Sequence, residues 1–194
     1  MSLPKILLDN TDVFITIPVL KTHTQTGISL GLKNMWGCIP STKRLLYHWA
    51  LPEILANFVT LFRPAMTIID ALWAMDGLGP MYGDIIRTNS LIITANVGAG
   101  EIAGCRAMGI DYTKIKHLIV VDQLGLLPMP NTIKYNTPLE EIFSHRFKPK
   151  RDLQQILVHY GPFRSRILTY LIYLSPLSIV KKAFTAIIGK HSIA

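Results

Sequence analysis

Chemistry-bearing side chains are densest at residues 17–37, which read I-P-V-L-K-T-H-T-Q-T-G-I-S-L-G-L-K-N-M-W-G. Lys21 is a fixed cation, His23 an imidazole that titrates close to neutral pH, and Thr22 with its neighbouring threonines supplies hydroxyl donors. Ile28, Leu32 and Met35 follow at helical spacing, with Thr24 or Thr26 as N-cap and Gly37 at the C-cap position. A cation beside the free N–H groups of a helix start has the physics of an anion site, suited to a phosphate or a carboxylate. Lys33 and Asn34 lie further along that helix and are further ligand-binding candidates.

Other positions extend the set. His23 or His48 can transfer a proton while Asp70 orients an imidazole. The same three residues also make an N,N,O ligand set of the kind zinc or non-haem iron accepts, although their spacing matches no short metal motif. In the run D-G-L-G-P-M-Y-G at residues 76–83, Gly77, Gly79 and Gly83 offer a backbone nest for phosphate or a lid. The run is no dinucleotide fingerprint, because no helix opens at its last glycine, and no P-loop, because no G-K-[ST] follows. Nucleophilic catalysis lacks support: G-x-S-x-G is absent and Cys38 has no base partner.

Positioning these groups requires a scaffold, and the hydrophobic pattern predicts an α/β one. Residues 12–18 (D-V-F-I-T-I-P) form a continuously apolar, β-branched run that suits a buried parallel strand. Residues 65–70, 90–95 and 117–122 read as three further strands, with helices over about 54–62 and 98–108 among these elements. The predicted architecture is a mainly parallel sheet built from βαβ units, with a breaker-rich loop over 72–87. On that scaffold Lys21 and His23, Asp70, Asn96 and Asp122 each follow a strand, where open α/β sheets bind ligands. The expected division is a partial α/β domain over 1–127, then a Pro-punctuated basic extension with apolar C-terminal helices over 128–194.

Composition bounds the rest. With 49% hydrophobic and 16% charged residues the chain is a packed globular protein. A net charge of +8 favours an anionic partner: a small molecule or an acidic membrane surface, with nucleic acid disfavoured because the basic residues are not interleaved with aromatics on one face. Cys38 and Cys105 cannot supply the four thiolates of an iron–sulfur cluster, so this chain alone ligates none, and buried unreactive thiols are expected. No signal peptide opens the chain, and the apolar run at 167–180 is too short to span a bilayer and contains Pro176.

Taken together, P-V-L-K-T-H (18–23), G-L-K-N-M-W-G (31–37), His48, R-P-A-M-T-I-I-D-A (63–71) and G-L-G-P-M-Y-G (77–83) resemble the domain-of-unknown-function family DUF362. The resemblance covers residues 4–125. It implies a cytoplasmic α/β protein with a redox link, since the domain accompanies ferredoxin-like iron–sulfur modules, and it makes an iron–sulfur protein a candidate partner. The matching positions are Lys21, Thr22, His23, Lys33, Asn34, Gly37, His48, Asp70, Gly77, Gly79, Pro80 and Gly83. One segment departs: the family's D-P-V-A-V-D stands here as N-V-G-A-G-E, with Asn96 replacing the first carboxylate and Glu101 keeping the second. Relative to the family's domain the chain starts part-way through, so an uncovered sheet face or edge is expected, favouring oligomerisation or partner binding. Three functions follow as expectations: a ligand-binding or enzymatic domain with an anion site, a non-catalytic interaction or membrane-surface module, and a metal-dependent enzyme using His23, His48 and Asp70.

Overall fold

A computed structural model describes residues 3–179 of the chain. The end of the expected C-terminal apolar extension, residues 180–194, lies outside the described residues. By its internal contacts the chain divides into two compact units, Met1–Pro40 with Pro52–Lys150, and Ser41–Leu51 with Arg151–Ala194.

The first unit is α/β. After a short helix, α1 (Lys5–Asp9), the strands β1 (Ile15–Thr16) and β2 (Val19–His23) lie end to end along one side of β4 (Met66–Asp76), both parallel to it. Pro18 interrupts the pair because it has no N–H to give, while its carbonyl still accepts from Asp70 N at 2.8 Å. The crossover from β2 to β4 carries α2 (Gly31–Met35) and α3 (Leu51–Phe62). Antiparallel additions complete the five-stranded sheet: β3 (Gly27–Ser29) beside β2, and β5 (Asp84–Thr94) on the free side of β4.

The α/β class and the parallel crossover agree with the sequence reading, but four elements do not. Of the run 12–18, expected as a buried strand, only Ile15–Thr16 is strand, and Ile15 and Ile17 are exposed while Thr16 and Pro18 are buried, the alternation of a strand covered on one side. The expected loop over 72–87 is mostly strand, because the glycines are confined to the turn between the paired residues Asp76 and Asp84. The strand expected at 90–95 is therefore the second arm of a long hairpin rather than a parallel strand. Residues 117–122 (H-L-I-V-V-D) belong to a helix, α5 (Lys116–Gln123), which buries His117, Leu118 and Val121 on one side. A short apolar run fits either period, and here the spacing of the buried residues is helical.

One face of the sheet is covered. Leu20, Ile69 and Ala71 point into a core shared with Leu55 and Phe58 of α3 and Ile102 of α4 (Val97–Met108), all at most 1% exposed. Small residues let α4 come close: a side chain at Gly104 would meet Leu30 Cδ1 at 2.6 Å. The opposite face is open. Ile15, Ile17 and Val19 alternate with buried residues and Leu91 and Ile93 with half-buried ones, and all five are 38–61% exposed.

From Tyr112 onward the first unit runs through α5 and α6 (Leu139–Ile142) to Lys150. The second unit holds a 3₁₀ segment, Thr42–Ala50, then α7 (Leu153–Gln155), a π-helical turn at Ile156–Tyr160 and α8 (Arg166–Tyr173). Its interior is aromatic: Phe163 stacks on Tyr173 at 4.9 Å and on His48 at 4.5 Å. Among the described residues one helical stretch, Thr42–Phe62, is long and apolar enough to cross a membrane. In its α3 half Leu55, Ala56, Phe58 and Phe62 are buried, while 28% of the stretch's most apolar window is buried overall.

Candidate functional site

Alternation and register place the predicted site residues. Lys21 and His23 lie inside β2, not in a loop after it, and alternate with buried Leu20, Thr22 and Thr24, so both belong to the open face. Val19 pairs with Asp70, which puts Asp70 on the same face. The register then slips, since the next pair is Lys21 with Met75: β2 advances two residues where β4 advances five. The Asp70 carboxylate secures the bulge by accepting Leu72 N–H at 2.9 Å. A cation, an imidazole and a carboxylate therefore stand on one uncovered sheet face beside a bulge, a feature that re-aims side chains near sites. His23 Nδ1 accepts Gln25 N–H at 3.0 Å, which orients the ring and leaves Nε2 as the nitrogen that carries a proton.

The expected helix N-terminus is not part of this group. Residues 27–29 are strand, α2 starts only at Gly31, and its first turn is already capped: Leu32 N–H donates to the buried Glu101 carboxylate at 2.7 Å. Thr24 and Thr26 do not cap it; their hydroxyls donate to the carbonyls of Gly79 and Ile28. Gly37 sits in a 3₁₀ turn rather than in a left-handed cap. Lys33 rides over the Trp36 ring at 5.8 Å, and the Asn34 amide donates to Thr16 Oγ1 at 3.2 Å.

Packing accounts for the glycine loop. A Cβ at Gly79 would collide with the Thr22 carbonyl oxygen and one at Gly83 with that of Asp76, while Gly77 adopts φ 80°. Thr22 lies fully buried beneath it, with its hydroxyl donating to Gly77 O at 3.2 Å. His48 belongs to the second unit, where Nδ1 lies 3.1 Å from Leu45 O. Among the described residues no three His, Cys, Asp or Glu side chains converge as a metal set. Asn96 caps α4 by accepting Ala99 N–H at 2.9 Å, and Asp122 is exposed on α5 rather than at a strand end.

A second polar group escaped the sequence reading. β4 runs six residues past Asp70, so the carboxylate at its carboxyl end is Asp76, on the covered side of the sheet. Asp76 accepts N–H groups from Gly77 at 2.6 Å and Lys148 at 2.8 Å, and His145 Nε2 lies 2.9 Å from its other oxygen. Burial opposes ionisation of Asp76, but the His145 bond and the two backbone donors outweigh it and hold the carboxyl below its ordinary value. The signal for this pair was the D-G opening of the glycine loop; His145 lies 69 residues away, beyond any local spacing.

In the core, Glu101 Oε2 lies 3.7 Å from His117 Nε2, with both side chains at most 1% exposed. Burial raises the thiols of Cys105 and Cys38 above their ordinary value, most strongly Cys105, which the charges of Glu101 and Asp111 raise further.

Comparison with known proteins gives two findings. Residues 1–106 match the model of a family described as a domain of unknown function, DUF362. A thylakoid-associated protein of Synechocystis sp. (strain ATCC 27184 / PCC 6803 / Kazusa) is 29% identical over 126 residues, covering 61% of this chain and 39% of that protein. The chain thus spans about two fifths of that relative's length. No solved structure matches.

Proposed function

Since the chain belongs to the DUF362 family, we propose that its α/β unit binds an anionic small molecule on the open sheet face, with Lys21 supplying the charge and His23 transferring a proton. The observation carrying this reading is that Lys21 and His23 share one face with Asp70, distant from them in sequence, across the register-shifted β2–β4 pair. Asp70 anchors the bulge through Leu72 N–H, which makes it a positioning residue. The charge on Lys21 replaces the helix N-terminus as the basis for anion attraction, because Glu101 occupies that terminus. A ligand carrying phosphate or carboxylate oxygens suits an ammonium donor beside an imidazole.

Inorganic phosphate and citrate are suitable probes, followed through the His23 ring resonances at low ionic strength. Saturable shifts are expected in the intact protein and should vanish in Lys21→Ala at unchanged thermal midpoint. Equal shifts in both proteins would overturn the reading. Loss of the fold in Lys21→Ala would assign the lysine a structural role instead.

A further inference from the structure

The chain's charge is divided unevenly between its two units. The second unit, Ser41–Leu51 with Arg151–Ala194, contains eight of the 20 lysines and arginines but only Asp152 of the 12 acidic residues. It therefore carries +7 of the +8 net charge, leaving the larger α/β unit nearly neutral at +1. Five of those eight basic residues, Lys43, Arg44, Arg151, Arg164 and Arg166, lie among the described residues beside the single acid Asp152, which makes the described part of this unit itself positive.

Within that unit α8 is built with its apolar side outward. Thr169 is buried, donating its hydroxyl to Ser165 O at 2.8 Å and Pro162 O at 3.0 Å, and Tyr173 stacks on Phe163. These contacts fix which side faces in. The other side presents Ile167, Leu168, Tyr170 and Leu171, with Ile167 72% exposed, and Arg164 and Arg166 stand exposed at its start. The apolar character continues past the helix in exposed Leu177 and Ile179. A water-facing helix would reverse this arrangement.

We propose that the second unit docks on an anionic lipid surface, with the outward side of α8 seated at the boundary of headgroups and acyl chains. Arg164 and Arg166 then lie at headgroup level, with Tyr170 offering a ring whose hydroxyl reaches the wet side. The partner follows from combining the two observations. Positive charge alone would suit any polyanion and exposed aliphatic residues alone any apolar partner; an acidic bilayer is negative and apolar within a few ångströms.

Flotation of the full chain with vesicles tests this, using phosphatidylcholine alone and phosphatidylcholine mixed with phosphatidylglycerol. Binding is expected to the mixed vesicles and not to the neutral ones. The double variant Arg164→Gln, Arg166→Gln should weaken partition about 30-fold, as roughly 1 kcal/mol for each basic residue near the surface implies. Ile167→Asp with Leu171→Asp should abolish it, and because both positions are exposed, an unchanged circular dichroism spectrum and thermal midpoint will identify loss of docking rather than of fold. No partition at low salt, or partition unaffected by the two aspartates, overturns the proposal. So does sedimentation showing that α8 mediates a dimer excluding vesicles, or preferential binding to a nucleic acid duplex.

Discussion

The two faces of the sheet have been put to different uses. On the covered face β2 and β4 contribute Leu20, Ile69 and Ala71 to a dry core, and α4 has given up side chains at Gly100 and Gly104 to approach it. On the open face Val19 of β2, with Ile17 just before it, is exposed on the side that carries Lys21, His23 and Asp70. A core face tolerates few residue types because every volume is matched, whereas a face in water can mix charge with aliphatic side chains. The period-2 alternation is what lets one strand serve both.

The largest contrast should come from isoleucines on opposite sides. Ile69→Ala should cost about 2–5 kcal/mol in urea unfolding, as a cavity beneath α4. Ile93→Ala, on the open side, should stay within about 0.5 kcal/mol. Equal losses would mean that the open face is covered in solution.

Next in size is the cap between α4 and α2. Glu101→Ala leaves Leu32 N–H without its acceptor and should cost about 1–3 kcal/mol, most of it restored in Glu101→Gln, whose amide oxygen can accept the same bond.

A smaller effect appears only in acid. Asp76 has a folded pKa below its ordinary 3.8, so the stability it adds is fully present above that value and is lost as pH falls through the folded pKa. Asp76→Asn should therefore be less stable near neutral pH, with the gap between the two proteins closing below about pH 4 as the carboxylate protonates. A gap independent of pH would show that the His145 and backbone bonds add nothing through charge.

Smallest in stability is Ile93→Ser. Its unfolding midpoint should barely move, while sedimentation velocity should report less self-association if the open aliphatic row is sticky.

How far the chain could be read in advance depended on the range of the interactions. α3 and α4 were legible because each repeats an apolar or small-residue face at helical spacing over 12 residues; the run at 12–18 was not, since only Ile15–Thr16 of it is strand and Ile15 and Ile17 are exposed. Residues 117–122 misled because a run of four aliphatic residues, Leu118 to Val121, is compatible with strand or helix until its neighbours are known. At the site, Lys21, His23 and Asp70 were visible as residue types, but their shared face depends on the slip between β2 and β4, which no spacing encodes. The Asp76–His145 pair and the Glu101 cap were invisible, each joining groups 69 residues apart.

The Glu101 cap also bears on how the K-T-H segment can be moved or copied. Residues 17–37 look like a portable cassette, yet their short helix begins at a carboxylate donated by a later element. Excised as a peptide or grafted onto another sheet, the cassette should lose its turn at Gly31 unless a partner residue travels with it. Recombination within this fold is therefore constrained to exchange the two segments together.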